Sequence, residues 1–349
     1  MFYLKYRPRT LSELDNTSVK DILYKHLDSE KFPHAFIFIG DKGTGKTSAA
    51  RVFAKSINCL RNKYAHKGNS IEPCNECKNC KSIDASSSID IVEMDAASNR
   101  GIDEIRKLIR DSSFLPMNNR YRLYIIDEAH MITNDAFNAL LKTLEEPPSS
   151  VIFILATTNV EKIPKTIISR CSIINFHKAK KNDLISMLKR ILKNENINLE
   201  SNVLSLIASH SDNSFRDAAK ILEELIIQNK KTYEEAKIFL GILGKQSLLE
   251  MIQTKKIKEC LTWIEEFKNA GGNIKTLIEQ VLEELRIQLL IKNSIQTENA
   301  DIKLNFTIKE LSILIKLFTQ AYNDLRISPI DILPLEIAVV DFYNNRRSR

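Results

Sequence analysis

The sequence predicts an α/β fold built on a parallel sheet, followed by a region of helices alone. Three observations lead there. The segment Gly40-Asp41-Lys42-Gly43-Thr44-Gly45-Lys46-Thr47-Ser48 follows an apolar run at 35–39 and opens a helical stretch. Short apolar strand patterns alternate with helix patterns through the first half of the chain, an order that calls for crossover helices and parallel strands. After about Lys178 the strand patterns stop and helical periodicity continues to the end.

Taken in order, strands are expected at 36–39, 89–94, 122–126, 151–156 and 173–176, with helices at 48–58, 102–111 and 136–145 between them. Ligands of such a sheet gather at the carboxyl ends of the strands, where the glycine loop falls. Later helices are expected at 181–194, 202–210, 214–228 and 233–240. Gly241 and Gly244 mark a break between two helical groups. Further helices run from Ser247, and Pro334 is expected as the first residue of a last one through Tyr343. The basic tail Arg346-Arg347-Ser348-Arg349 is expected to fray.

The chain has 349 residues, 43% of them apolar. That is too much for one ordinary core and implies two or three domains. No apolar run reaches the roughly 18 residues that a membrane span needs, and the N-terminus lacks the apolar stretch of a signal peptide. A cytosolic protein with no membrane partner is expected. The net charge of +7 and pI of about 8.9 suit a polyanionic partner, and equally suit Lys-rich helix faces in water. Of nine glycines, three lie in the loop 40–45, which points to a backbone requirement there.

That loop fits the P-loop pattern G-x-x-x-x-G-K-[ST] in its required setting of strand, loop and helix. Its backbone N–H groups would cradle phosphates. Lys46 would reach the β- and γ-phosphates, and the Thr47 hydroxyl would ligate Mg²⁺. Arg122-Leu123-Tyr124-Ile125-Ile126-Asp127-Glu128 is an apolar strand ending in two acids. Asp127 would serve the same Mg²⁺, and Glu128 would orient or deprotonate an attacking water. With His130 the string becomes Asp-Glu-Ala-His, which helicases also carry. At the end of the next strand, Thr157 or Thr158 would contact the γ-phosphate or the water. Cys74, Cys77 and Cys80 are spaced for a metal rather than a disulfide in a reducing compartment. A structural Zn²⁺ needs a fourth ligand; Cys59 is the first candidate and His66 the second. Arg170 and Arg216 are ordinary arginines when taken singly.

Several strings together resemble one family, the gamma/tau subunit of bacterial DNA polymerase III, an AAA+ clamp-loader ATPase. They are Tyr6-Arg7-Pro8, His34-Ala35-Phe36, 95–99 with 101–106, 124–131, and Ala136-Phe137-Asn138-Ala139-Leu140-Leu141-Lys142-Thr143-Leu144-Glu145-Glu146-Pro147-Pro148. Ala156-Thr157-Thr158 and Ser169-Arg170-Cys171 complete the set, which covers about 1–225. The chain departs from the family at Leu14-Asp15-Asn16, where Val-Gly-Gln is usual, and at Lys42, where Arg is common. It departs again at Asn213, a usual glycine, and in a longer stretch between Cys59 and Cys74.

The resemblance implies a RecA-like AAA+ ATPase domain at 1–177 with a zinc module at about 59–80. A helical lid at 178–242 and a helical collar at 243–349 would follow. It implies that Arg170 is an arginine finger acting on a neighbouring subunit's ATP. Arg216 would be the sensor-2 arginine of the same chain, and Thr157 would lie in the sensor-1 segment. The four cysteines would be the family's zinc module. Implied partners are delta and delta prime subunits and further copies of the chain in a pentameric ring, the sliding clamp, and primer-template DNA. Arg100 and Arg106 are candidates for the DNA contact, with a solvated helix face as the alternative. An end at Arg349 resembles the short gamma-type form. Two rivals stand beside this reading. A helicase would need a second sheet domain, and a non-enzymatic scaffold subunit would have a degraded loop.

Overall fold

In the computed structural model the described residues are 1–29, 32–66, 68–240, 242–269, 272–293 and 304–347. They form two compact units, Met1–Glu224 and Leu225–Arg349.

The first unit carries strands β1 (Ala35–Gly40), β2 (Ile91–Asp95), β3 (Arg122–Asp127), β4 (Val151–Thr157) and β5 (Ser172–Phe176). All pairings are parallel, in the order β2-β3-β4-β1-β5. The chain leaves β1, crosses two strands to β2, and returns through β3 and β4, so the strand order reverses beside β1. A crevice opens at the carboxyl ends of strands at such a point.

The helices of this unit are α1 (Phe2–Lys5), α2 (Thr17–Asp28), α3 (Lys46–Asn58), α4 (Lys78–Asp84) and α5 (Ile102–Ser112). They continue with α6 (Asn134–Glu145), α7 (Lys165–Ile168), α8 (Lys181–Glu195), α9 (Ser201–Ser209) and α10 (Phe215–Ile227).

Strand side chains alternate between the two faces of a sheet. Phe36, Phe38, Leu123, Ile125, Ile152 and Ile154 meet Val19, Leu23 and Phe53 of α2 and α3 on one face. Ile37, Tyr124, Ile126, Phe153 and Leu155 meet Ile105, Leu108, Phe137 and Leu140 of α5 and α6 on the other. Cover on both faces explains why the strands are almost continuously apolar; every residue of β4 is buried.

Four of the five strands fall within a residue of expectation. The second begins at Ile91 rather than residue 89. Ile89 is 61% exposed, and Asp90 is fully buried. The Asp90 carboxylate accepts the backbone N–H groups of Met117, Asn118 and Asn119 at 2.8–2.9 Å, so the ladder starts only after it. Burial works against its charge, but these bonds and Arg122 hold Asp90 below the usual carboxylate range. Helix α2 carries no sequence expectation. Its apolar residues Val19, Leu23 and Leu27 recur every four positions, and Asn16 caps it by accepting from Val19 N.

The second unit is helical throughout its described residues, with α11 (Tyr233–Phe239), α12 (Ile242–Thr254), α13 (Ile257–Asn269), α14 (Ile274–Lys292), α15 (Ile308–Asp324) and α16 (Leu333–Arg347). Its core joins Leu248, Leu277, Val281, Phe306, Phe318 and Phe342. Thr307 and Glu310 form a capping box at the start of α15. Gly244 lies inside α12 rather than at a break, and Gly241 lies outside the described residues. Helix α16 starts one residue before Pro334 and runs beyond Tyr343 to Arg347. The rest of the basic tail lies outside the described residues. Among the described residues, no helix is long and apolar enough to cross a membrane.

Candidate functional site

The loop between β1 and α3 is shaped by two glycines in the left-handed region, Gly43 at φ +77° and Gly45 at φ +96°. A side chain at Gly43 would lie 1.9 Å from Ser214 Oγ, because the start of α10 presses on the loop. Phe215 N donates to Gly43 O at 3.1 Å, and Ser214 Oγ caps α10 by accepting from Asp217 N. Asn213, where the resembled family has glycine, takes φ +54°, which asparagine tolerates better than most residues.

Lys46 is buried, and its ammonium donates to Gly40 O at 2.7 Å and Asp41 O at 2.9 Å. Burial pulls its pKa below the ordinary lysine value and Arg216 adds to this, against the pull of Asp127, Glu128 and Asp41. Thr47 Oγ1 donates to Asp127 Oδ2 at 2.8 Å. The two oxygens expected on Mg²⁺ therefore already meet, a fit of donor set to a hard cation.

Glu128 follows at φ +48°, a conformation costly for a residue with a side chain. Its Oε1 lies 3.9 Å from Lys42 Nζ, and its Oε2 accepts from Thr158 Oγ1 at 3.4 Å. The alternative between the two threonines thus divides by side. Thr158 reaches Glu128, whereas Thr157 is fully buried and bonds to His130 Nδ1 and to Asn159.

Lys42, Lys46, Thr47, Asp127 and Glu128 line one part of a cavity of about 220 Å³, whereas neither Thr157 nor Thr158 is among its lining residues. Its other end is made by residues without a sequence-based role: Phe2, Tyr3, Arg7, Asp15, Met187 and Ile191. Tyr6-Arg7-Pro8 carried part of the family resemblance, and all three line the cavity. Burial, with Arg51 and Arg216 nearby, lowers the pKa of Arg7. Arg216 also lines the cavity. It makes no ion pair with Asp217 or Glu223, which pair with Lys220 and the N-terminal amine. Its guanidinium stands 5.9 Å from the centre of the Tyr3 ring. Asp15 is buried against Arg190 Nη2 at 2.9 Å, yet burial outweighs that partner and pushes its pKa up to about 6. A pocket lined by a glycine loop, lysines and arginines together with Phe2, Met187 and Ile191 can hold a nucleotide.

Arg170 is not among the cavity residues. It donates to Thr166 O at 2.7 Å and pairs with Glu145. Arg106 lies 3.9 Å from Asp103 in the first turn of α5, and both Arg100 and Arg106 are exposed.

The cysteine cluster forms as expected, with the ligand sulfurs of Cys59, Cys74, Cys77 and Cys80 all within 4.8 Å of one another. A tetrahedron of thiolates on zinc has edges of about 3.8 Å, so a small contraction closes it. His66 takes no part, and Cys59 is the fourth member. Backbone N–H groups of Arg61, Cys74, Cys77 and Cys80 point at the sulfurs at 3.3–3.5 Å. Burial opposes ionisation, yet the N–H groups of Leu60 and Cys80 and the neighbouring thiols pull Cys77 down to about 7. Burial pushes Cys59 and Cys80 up. The long stretch before Cys74 is folded back by Asn62, whose amide donates to Ser56 O at 2.7 Å and Ile71 O at 3.3 Å.

A family model described as DNA polymerase III, delta subunit, matches residues 15–180. The chain is 38% identical to DNA polymerase III subunit tau of Bacillus subtilis (strain 168), covering 89% of this chain and 55% of that protein. It is 34% identical to DNA polymerase III subunit gamma/tau of Mycoplasma genitalium, over 99% of this chain and 59% of the relative. It is 35% identical to DNA polymerase III subunit gamma of Buchnera aphidicola subsp. Baizongia pistaciae, over 87% of this chain and 80% of that one. The chain thus spans somewhat more than half the length of the first two relatives. Among solved structures it is similar to the Thermotoga maritima RuvB Holliday junction branch migration motor, at 17% identity and a TM-score of 0.49, over 72% of this chain and 80% of that one.

Proposed function

The chain belongs to the DNA polymerase III gamma/tau family, and from that premise we propose that it is the ATP-hydrolysing motor subunit of a bacterial clamp loader. The observation that carries the reading is the meeting of Thr47 and Asp127 at 2.8 Å beneath a P-loop whose buried Lys46 lines the same cavity. In this reading Lys46 turns from the loop carbonyls to the β- and γ-phosphates. Arg216 leaves Tyr3 for the γ-phosphate. Thr47 and Asp127 would hold Mg²⁺, which would supply neutralisation of phosphate charge. Glu128 takes a proton from a water, whose oxygen bonds to the γ-phosphorus as the bond to the bridging oxygen breaks, leaving ADP and phosphate. Arg170 of a neighbouring copy offsets the charge that develops.

The finer division into ATPase domain 1–177, lid 178–242 and collar 243–349 belongs to the same reading. So does a structural zinc on Cys59, Cys74, Cys77 and Cys80, which would tie α4 to the end of α3. The partners would be delta and delta prime subunits in a pentamer, the sliding clamp, and primer-template DNA held through its phosphates. Arg100 and Arg106 at the start of α5 would contribute to that grip. The site of action would be the cytoplasmic replisome. Against a helicase stands the second unit, helical throughout its described residues with no second sheet. Against an inactive scaffold stands the intact loop.

The test is clamp loading on primed DNA by the complete loader with ATP. Lys46→Ala should lower ATP turnover at least roughly a hundredfold, the scale of losing one main charge-stabilising donor, and abolish loading. Normal DNA-stimulated turnover by this variant would refute the assignment.

A further inference from the structure

His130 is the one polar side chain of the Asp127–His130 turn to which hydrolysis, as read above, gives no task. Its side chain is only 12% exposed, and Nδ1 lies 3.1 Å from Thr157 Oγ1 and 3.5 Å from Glu128 Oε2. The hydrogen-bond inventory around Thr157 decides what that nitrogen carries. Thr157 Oγ1 accepts from Asn159 N at 3.0 Å, and its single proton goes to Asn159 O at 3.1 Å. Thr157 is fully buried, so its hydroxyl has these protein partners to satisfy it. With its proton spent on Asn159, Oγ1 can only accept from the imidazole. Nδ1 therefore carries hydrogen, a tautomer assigned from the network. Nδ1 thus lies within hydrogen-bond distance of the buried Thr157 oxygen and at the longer distance of 3.5 Å from the Glu128 carboxylate.

Glu128 has reason to need such a neighbour. Its backbone is strained at φ +48°, and its side chain has free torsions that must be ordered. Oε2 is held from one side by Thr158 Oγ1 at 3.4 Å and faced from the other by His130. Among the described residues, Oε1 has only the 3.9 Å approach of Lys42, a side chain that is 78% exposed.

We propose that His130 is a positioning residue for Glu128. Anchored on Thr157, its Nδ1 edge faces Oε2, draws the carboxylate to that side and leaves Oε1 to face the attacking water. The buried Thr157 then acts on hydrolysis through His130 without entering the cavity. The inference rests on the reading of Glu128 as the base.

The experiment is single-turnover ATP cleavage by the complete loader, with ATP affinity measured separately, for His130→Ala, His130→Asn, Thr157→Val, Glu128→Gln and the pair His130→Ala/Glu128→Gln. His130→Ala should slow cleavage roughly ten- to a hundredfold, the scale of a misplaced reacting group, with ATP affinity within about twofold of wild type. His130→Asn, whose amide can donate from nearly the same place as Nδ1, should restore most of the rate. Thr157→Val should slow cleavage as His130→Ala does. In the Glu128→Gln background His130→Ala should cost nothing further, because both changes remove one function. Wild-type cleavage by His130→Ala beside a crippled Glu128→Gln overturns the proposal alone. So does an undiminished His130→Ala loss in the Glu128→Gln background, or a loss of ATP affinity that Asn does not repair. Full cleavage by Glu128→Gln removes the reading of the base and this proposal with it.

Discussion

At Gly43 two demands coincide: a backbone at φ +77° and a neighbour, Ser214 Oγ, 1.9 Å from where a Cβ would stand. Gly45 meets only the first, since nothing lies within 4 Å of its Cβ position. Alanine at Gly43 would add about 1–2 kcal/mol of left-handed strain and push the start of α10 off the loop. Gly43→Ala should therefore weaken ATP binding at least roughly tenfold while far-UV circular dichroism stays that of wild type. Alanine at Gly45 lacks the clash and should cost less, a contrast that nucleotide titration can read. Asp15 gives a second residue-level expectation. Its folded pKa is raised to about 6 from 3.8, so the folded state holds its proton more tightly than the unfolded state. The contribution is fully present below about pH 4 and is lost as pH rises through about 6. Wild type minus Asp15→Asn stability, from urea unfolding, should accordingly fall between pH 4 and pH 7; a flat difference would remove Asp15 as its source.

Elements read from the sequence with different ease, and the cysteine module shows why. Three of its ligands are three residues apart, and that spacing alone fits a metal. Cys59 could be placed because it ends α3, a helix announced by the loop before it. Cys77 caps α4 by accepting from Cys80 N, and Asn79 Nδ2 donates to Asn58 O at 3.0 Å, so ligand geometry and helix docking are one structure. Metal analysis should find about one zinc per chain, and Cys77→Ser should reduce it several-fold and lower the melting temperature. Metal-free, fully stable wild-type protein would contradict this. The central strands β1, β3 and β4 were equally legible because they are buried on both faces. What stayed hidden depends on contacts distant in sequence. The Asp90 carboxylate, which precedes the start of β2 at Ile91, is satisfied by residues 117–119. The base-side wall of the cavity draws on residues 2–19 and on Met187 and Ile191, segments whose local pattern is merely helix or loop. Thr157 and Thr158 adjoin at the end of β4, and only their hydrogen bonds assign one to His130 and the other to Glu128.

At the scale of the whole molecule, the question is what a single chain lacks. Its cavity has a lysine, two acids and Arg216 in place, but Arg170 lies elsewhere, held by Glu145 and Thr166 O. The pair with Glu145 is partly exposed, the side chains being 34% and 48% accessible. Such a pair is worth only about 0–1 kcal/mol in water. Arg170 can therefore be taken from Glu145 at little cost by a triphosphate on a neighbouring chain, where a guanidinium acting in trans is worth roughly 10³–10⁵ in rate. Arg170→Ala should leave ATP affinity of the isolated chain unchanged and abolish DNA-stimulated turnover in the assembled loader. Loaders assembled from Lys46→Ala and Arg170→Ala chains together should regain part of that turnover. A junction that sets the pocket of an Arg170→Ala chain against the arginine of a Lys46→Ala chain is then whole, whereas the reverse order is doubly broken. If Arg170 served its own pocket, no junction could be whole, and the mixture would stay as inactive as either variant alone.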